Sequence, residues 1–280
     1  MKLGLHVSIS GTIDKAVDRA VERGCNTFQI FTRNPRGWRW KELIPEDAKA
    51  FIEKVNQHKI SPVFGHMPYL PNLASPREEV YEKSVESLTS ELNRCERLEI
   101  PYLVTHLGSH LGAGKEEGFR RIINAINIAF SKAEGNVMLL LENTAGTKNS
   151  MGGSFEDIRY IIGRVAVQNL VGLCFDTCHG FAAGYDLRTM EAVEDTIREL
   201  DEMIGFERLK LVHLNDSMGD LGSRIDRHEH IGMGRIGEEG FRNILRSRFG
   251  QLPLILETPI DKRRSDVENL EKVRELAGEK

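Results

Sequence analysis

Six apolar, strand-like runs in this sequence stop on a residue that can bind a metal: Phe64-Gly65-His66, Val104-Thr105-His106, Leu140-Leu141-Glu142, Val171-Gly172-Leu173 running on to Asp176, Leu211-Val212-His213 and Leu256-Glu257. Further ligand types follow closely. His179 lies three residues after Asp176, a spacing across a strand-to-loop turn that lets the two serve neighbouring metals. Asp226 and His228 are two apart, which in extended chain puts both side chains on one side, so they can share a metal. Unpaired charge near a core is costly, and metal coordination is a common resolution. Six such endings therefore predict one polynuclear metal site. The chemistry of clustered divalent ions, typically about 3.5–4 Å apart in a pair, is the clamping and hydrolysis of a phosphate ester. Glu142, after three leucines, bridges two metals or acts as a base; the competing reading is a buried ion pair with a barrel lysine or arginine. Cys174 and Cys178 have three residues between them, not the two of a common zinc-thiolate pair. Cys174 is read as core and Cys178 as a small loop residue.

Such side chains converge only if their strands end on one face. Strands are predicted over 4–8, 27–31, 62–66, 102–106, 137–142, 171–176, 209–215 and 253–257. Helices are predicted over 13–23, 46–58, 76–97, 116–133, 154–164, 189–203, 238–248 and 265–276. Eight βα units without a composition break predict a single closed (β/α)8 TIM barrel over residues 1–280, with its active site at the carboxyl ends of the strands. Nearly continuous apolar strands fit a sheet covered on both faces. Eight of the nine histidines (His6, His66, His106, His110, His179, His213, His228 and His230) fall on strands near that face or in the loops after them. Only His58 falls elsewhere, at a helix end, where solvation or dipole capping accounts for it.

At 280 residues, 40% hydrophobic and 29% charged, the chain has the composition of an ordinary globular protein with ample core. The N-terminus lacks the apolar core of a signal peptide, and no apolar run is long enough to span a membrane. Four cysteines form no paired framework in a chain this long, so a cytoplasmic setting is expected. The net charge of −4 by itself argues against a nucleic-acid partner.

Several longer stretches carry a resemblance. These are His6-Val7-Ser8, Phe31-Thr32-Arg33-Asn34-Pro35-Arg36-Gly37-Trp38, His66-Met67-Pro68-Tyr69-Leu70, His106-Leu107-Gly108-Ser109-His110, Glu142-Asn143-Thr144-Ala145-Gly146, Asp176-Thr177-Cys178-His179, Phe181-Ala182-Ala183-Gly184-Tyr185-Asp186, His213-Leu214-Asn215-Asp216-Ser217, Asp226-Arg227-His228-Glu229-His230-Ile231-Gly232 and Leu256-Glu257-Thr258. Together they run almost end to end, and the chain resembles the endonuclease IV family, zinc-dependent apurinic/apyrimidinic endonucleases of base-excision repair.

The resemblance implies three zinc positions per chain. His66, His106 and Glu142 would hold the first. Glu142 would bridge to a second completed by Asp176, His213 and Glu257, and His179, Asp226 and His228 would hold the third. Imidazoles and carboxylates without thiolates suit catalytic zinc that keeps open positions, with Mn2+ as a substitute. Four ligand carboxylates carry −4 and three divalent ions +6, so the site would be formally +2 and the charge objection falls away. The implied reaction is hydrolysis of the phosphodiester 5′ to an abasic site in duplex DNA, leaving a 3′-hydroxyl and a 5′-deoxyribose phosphate, with Glu142 orienting the attacking water or taking its proton. Trimming of blocked 3′ ends is a further family activity. The expected partner is damaged double-stranded DNA, met by a monomer.

The basic, turn-forming segment from Arg33 to Arg39 suits a loop that contacts phosphate and enters a groove. The resemblance assigns DNA contact to His6, Asn34, Arg36, Trp38, Tyr69 and Leu70, with Tyr69-Leu70 wedging beside the lesion while the baseless sugar rotates out. Read from the residues alone, Trp38 and Tyr69 serve equally well as ordinary packing. The chain departs from the family pattern at Leu107, where proline is common, at Met233, where glutamate is usual, and at Gly37, where a larger polar residue occurs. The rival is a single-metal sugar isomerase or epimerase of the xylose-isomerase type, whose ligand set Glu142, Asp176, His213 and Glu257 would also satisfy. The remaining five ligands would then be superfluous.

Overall fold

The computed structural model of the chain describes residues 1–279. Its elements in order are β1 Leu3–Leu5, α1 Lys15–Glu22, β2 Phe28–Phe31, α2 Pro45–Gln57, β3 Val63–His66, α3 Glu78–Arg97, β4 Tyr102–His106, α4 Lys115–Lys132, β5 Met138–Glu142, α5 Phe155–Ile162, β6 Val171–Asp176, α6 Thr177–Ala183, α7 Met190–Met203, β7 Leu209–His213, β8 Asp216–Ser217, β9 His228–Glu229, α8 Gly237–Arg246, β10 Leu254–Leu256 and α9 Asp266–Ala277. The expected (β/α)8 TIM barrel is present: β2 through β7 pair in sequence order, and β10 joins β7 to β1, all parallel.

Closure between the two end strands is the sparse part of the ring. β1 and β2 share no continuous ladder; a parallel bridge between His6 and Gln29 joins them, with the Val7 amide donating to the Gln29 carbonyl at 2.8 Å. The approach is close because β1 carries Gly4. A Cβ there would lie 1.8 Å from the Thr27 carbonyl oxygen.

Inside the ring, Phe64, Val104, Leu140, Cys174, Leu211 and Ile255 pack as one layer, a residue from each of six strands. Cys174 is therefore core, as expected. Between barrel and helices lies the larger apolar layer that the amphipathic helices bury. Helix starts follow capping chemistry. Ser154 and Thr189 cap α5 and α7, and Ser265 with Glu268 forms a capping box on α9.

Two elements depart from expectation, both at the carboxyl rim. Residues after Asp176 form the helix α6, where a loop was expected. The Asp176 side chain accepts from the His179 amide at 2.8 Å as an N-cap, and Gly184, at φ 120°, ends the helix. The segment after β7 contains a small antiparallel ribbon, with Asp216 opposite Glu229 and Ser217 opposite His228. Asp216 is buried there and accepts from the backbone amides of Ser217, Gly234 and Ile236.

Gly4→Ala tests the closure. Overpacking at a site that cannot relax costs on the order of 1–3 kcal/mol or more, so the urea midpoint is expected to fall markedly with an unchanged slope. An unchanged midpoint would contradict the close approach of β1 to Thr27.

Candidate metal centre and its nucleic-acid rim

Strand register sets the ligands level with one another. His106 and Glu142 are Cα partners across β4 and β5, and Asp176 and His213 are partners across β6 and β7. His66 ends β3, and Glu257 directly follows β10. The expected side chains converge into three groups whose nitrogen and oxygen atoms lie within 4.8 Å of one another: His66, His106 and Glu142; Glu142, Asp176, His213 and Glu257; and His179, Asp226 and His228; a fourth grouping joins Asp176 and His228 to the Cys178 thiol. The first three are the sets implied by the resemblance.

Glu142 is fully buried and common to two of the groups. Its Oε2 faces His66 Nε2 at 3.2 Å and His106 Nε2 at 3.4 Å; its Oε1 faces His213 Nδ1 at 3.2 Å. The two oxygens therefore point into different groups, as a bridging carboxylate requires. Among the described residues no lysine or arginine lies within ion-pair distance of Glu142, Asp176, Asp226 or Glu257, whose charged neighbours are histidines alone. The alternative of a barrel ion pair is thereby removed.

Burial pushes the Glu142 carboxyl up, but the charges of His106 and His213 and hydrogen bonds from His179 and His213 hold it well below the usual carboxylate range. Glu257 behaves alike: burial raises it, and His213 and His6 more than offset that. Burial likewise opposes charge on His179, yet Asp176, Asp226 and Glu142 raise it well above an ordinary histidine. The common direction is ionised carboxylates in a largely buried cluster, a potential that attracts cations. The Asp226 carboxylate reaches His179 Nε2 at 3.0 Å, and His228 Nε2 lies 3.6 Å from Asp176 and 4.0 Å from Asp226. His228 Nε2 is buried without a hydrogen-bond partner among the described residues.

Outer partners fix ring orientations. His66 Nδ1 donates to the Met67 carbonyl at 2.7 Å, His179 Nδ1 to that of Asn143 at 3.0 Å and His228 Nδ1 to that of Glu257 at 3.0 Å. Each leaves Nε2 toward the cluster, the arrangement common for metal-bound histidine. Asn143 brackets the Asp176 backbone, and Asn215 donates to Asp176 Oδ2 at 2.7 Å while accepting from the Glu257 amide at 2.8 Å. Sequence reasoning gives no site role to Asn143, Asn215, Asp216 or Gln29. The signal available for them is polarity in buried strand ends, since a buried amide must find partners.

Other expected residues fall outside the cluster. His110 Nδ1 accepts from the Gly112 and Gly114 amides, and His230 pairs with Asp261 at 3.0 Å and Asn269 at 2.9 Å. His58 caps the carboxyl end of α2. Cys178 lies in α6 near Asp176 and His228, where burial pushes its thiol up to about 12 and keeps it protonated at neutral pH. His6 sits at the barrel seam, its Nδ1 on Glu257 at 2.9 Å and its Nε2 without a partner among the described residues.

Asn34, Arg36, Tyr69 and Leu70 are exposed, and Trp38 is half-buried, on the loops after β2 and β3. Those loops adjoin. The Phe31 ring meets Tyr69 at 5.0 Å, His66 at 5.6 Å and His6 at 4.2 Å, so one ring separates Tyr69 from the ligand cluster. A Cβ on Gly37 would meet nothing within 4 Å, so the larger residue of the family pattern has room there. Leu107 is buried and Met233 exposed.

Arg33 corrects the reading of a wholly outward basic loop. It is buried, paired through Nε with Glu91 of α3, and its guanidinium lies 4.5 Å from the Trp40 ring. Thr32 also donates to Glu91 at 2.6 Å, Arg94 donates to Thr32 and the Lys41 carbonyl, and Arg97 donates to the Leu43 carbonyl. The loop after β2 is thus bolted to α3, leaving Arg36, Arg39 and Lys41 as its outward cations.

Fold and site together define the class: a TIM barrel with adjoining groups of candidate metal-binding residues at its carboxyl rim. Residues 17–277 match the family described as xylose isomerase-like TIM barrel. A protein of Methanoculleus marisnigri named probable endonuclease 4 is 60% identical over 278 residues, covering 99% of both chains. The crystal structure of endonuclease IV from Thermus thermophilus superposes with a TM-score of 0.85 at 35% identity, over 99% of this chain and 98% of that one. The chain belongs to the endonuclease IV family. A D-tagatose 3-epimerase-like protein, with a TM-score of 0.72 at 20% identity over 100% and 96% of the two chains, shares the fold.

The Arg33–Glu91 pair yields a stability prediction. Glu91→Ala leaves a buried guanidinium uncompensated and is expected to cost about 3–5 kcal/mol, read from urea unfolding. The double variant Arg33→Met with Glu91→Leu recovers most of it. A loss below about 1 kcal/mol in the single variant, a size typical of exposed pairs, would contradict the anchoring role.

Proposed function

We propose that this chain hydrolyses the phosphodiester 5′ to an abasic site in duplex DNA, leaving a 3′-hydroxyl and a 5′-deoxyribose phosphate, with three zinc ions in the three ligand groups. The observation that carries the reading is Glu142, whose two oxygens face separate groups and whose charge no lysine or arginine among the described residues offsets. The donor set fits. It contains nitrogens and carboxylate oxygens, several rings have their outer nitrogen already engaged, and a buried nitrogen of His228 lacks any partner among the described residues.

His66 and His106 with Glu142 would hold one ion, Glu142, Asp176, His213 and Glu257 a second, and His179, Asp226 and His228 a third; Mn2+ suits the same donors. Such ions, when bound, polarise the phosphate, offset charge on the attacking and leaving oxygens and acidify water. Glu142 accepts a hydrogen bond from the attacking water and orients it. Arg36 and Asn34 contact phosphates, and His6 offers its Nε2 at the edge of the pocket. Tyr69 and Leu70, exposed on the neighbouring loop, press between bases while the abasic sugar enters, a movement least costly where no base pair must be broken. Trp38 flanks the same groove. Among the described residues no helix is long and apolar enough to cross a membrane. The reading places the enzyme in the cytoplasm as a monomer on damaged duplex, with trimming of blocked 3′ ends within reach of the same centre.

Incubation of an abasic-site duplex with zinc-loaded protein is expected to give 5′-side incision with a 3′-hydroxyl product, lost on chelation. Glu142→Gln is expected to lower turnover by about 10²–10³-fold or more while the duplex is still bound. Undiminished incision after the ions are stripped would overturn the reading, and full turnover in the variant would remove Glu142 from the chemistry.

A further inference from the structure

Every ring orientation at the cluster that is fixed by a backbone carbonyl concerns His66, His179 or His228. His213 differs. It is fully buried, its Nδ1 faces Glu142 at 3.2 Å, Glu257 at 3.5 Å and Asp176 at 3.9 Å, and its Nε2 meets a side chain, the amide oxygen of Gln29, at 2.9 Å. An amide oxygen can only accept, so in the neutral ring the proton sits on Nε2 and the Nδ1 lone pair is presented to the cluster. The amide nitrogen of the same residue donates to Glu257 Oε1 at 2.8 Å. That oxygen is thereby engaged, and Oε2 is the one turned toward His213 and the ligand group.

The amide orientation is fixed by its neighbours. A flipped Gln29 would set its oxygen against the Glu257 carboxylate and its two N–H groups against the protonated nitrogen of His213. His6 Nδ1 lies beside them, 3.0 Å from the Gln29 nitrogen and 2.9 Å from Glu257 Oε1, so the His213 and Glu257 contacts alone fix the amide. One nitrogen cannot both donate to the carboxylate and accept from the amide, and the charge-assisted bond to Glu257 is the stronger. Gln29 itself is fully buried in β2, between Phe28 and Ile30, at the seam where β1 and β2 are joined by the His6–Gln29 bridge.

We propose that Gln29 is a positioning residue for the ligand group Glu142, Asp176, His213 and Glu257, selecting the nitrogen that His213 presents and the oxygen that Glu257 presents. This rests on the three-ion reading above. Replacing a partner that orients a metal ligand typically weakens metal affinity about 10–100-fold, and only one of the three groups contains residues that Gln29 touches.

The test compares zinc retention in wild type and Gln29→Met, close in length and without the amide, by titration with a chelator and metal analysis. Wild type is expected to retain three ions. The variant is expected to release one ion at about 10–100-fold lower chelator concentration, the other two leaving as in wild type. Three ions held as tightly as in wild type overturn the role of Gln29, as does parallel weakening of all three. A wild type that binds no zinc fails the three-ion reading and this inference with it. In parallel, ring-nitrogen NMR of zinc-loaded wild type is expected to show the His213 proton on Nε2, protected from exchange. A proton on Nδ1 overturns the proposal even if the methionine variant does not fold.

Discussion

The structure turns on a carboxylate that no lysine or arginine among the described residues answers. Glu142 is fully buried with Asp176 beside it, and the groups around both are imidazoles. Removing an ion from water carries an effective penalty of several kcal/mol even after relaxation. An ordinary barrel would place a lysine or an apolar residue at that strand end. Here the histidines more than offset that penalty by charge and hydrogen bonding, a role that bound cations would take over from the ring protons. Stability sacrificed at one place for a preorganised electrostatic site is a general feature of functional centres.

The rest of the molecule holds that arrangement still. Parallel register makes neighbours of His106 and Glu142 and of Asp176 and His213, so one barrel geometry sets four ligands at once. The spacing of Asp176 and His179 acquires a second meaning in the fold. The aspartate caps α6 with one oxygen and faces His213 and His228 with the other, so the same side chain starts the helix and orients its histidine. Farther out, α3 grips the loop after β2 through Glu91, Arg94 and Arg97. A rim that must meet DNA stands on rigid supports while Arg36 and Tyr69 remain exposed.

Much of this was legible in the sequence because the barrel repeats a simple rule. Apolar runs end on polar residues, and the ends share a face, so the eight strands and six convergent strand-end residues could be read from the sequence, with His179, Asp226 and His228 added as candidates by their spacing and the family resemblance. What stayed hidden needed three dimensions. The helix after Asp176 has few residues and little periodicity; its cause is a cap and a glycine. The ribbon around His228 is two residues per strand, below any pattern length. Arg33 looks like Arg36 in one dimension, and only the position of Glu91 on α3 shows that one faces inward. Gln29 sat in plain view as an amide within an apolar strand, but its partners come from β7 and the end of β10, 184 and 228 residues away.

The central claim is that strand ends build three adjoining cation sites around Glu142. Anomalous diffraction at the zinc edge from crystals of the zinc-loaded protein measures this directly. Three peaks are predicted, one within coordination distance, about 2.0–2.2 Å, of each ligand group, with the two oxygens of Glu142 on different ions. A single peak among Glu142, Asp176, His213 and Glu257 would contradict it.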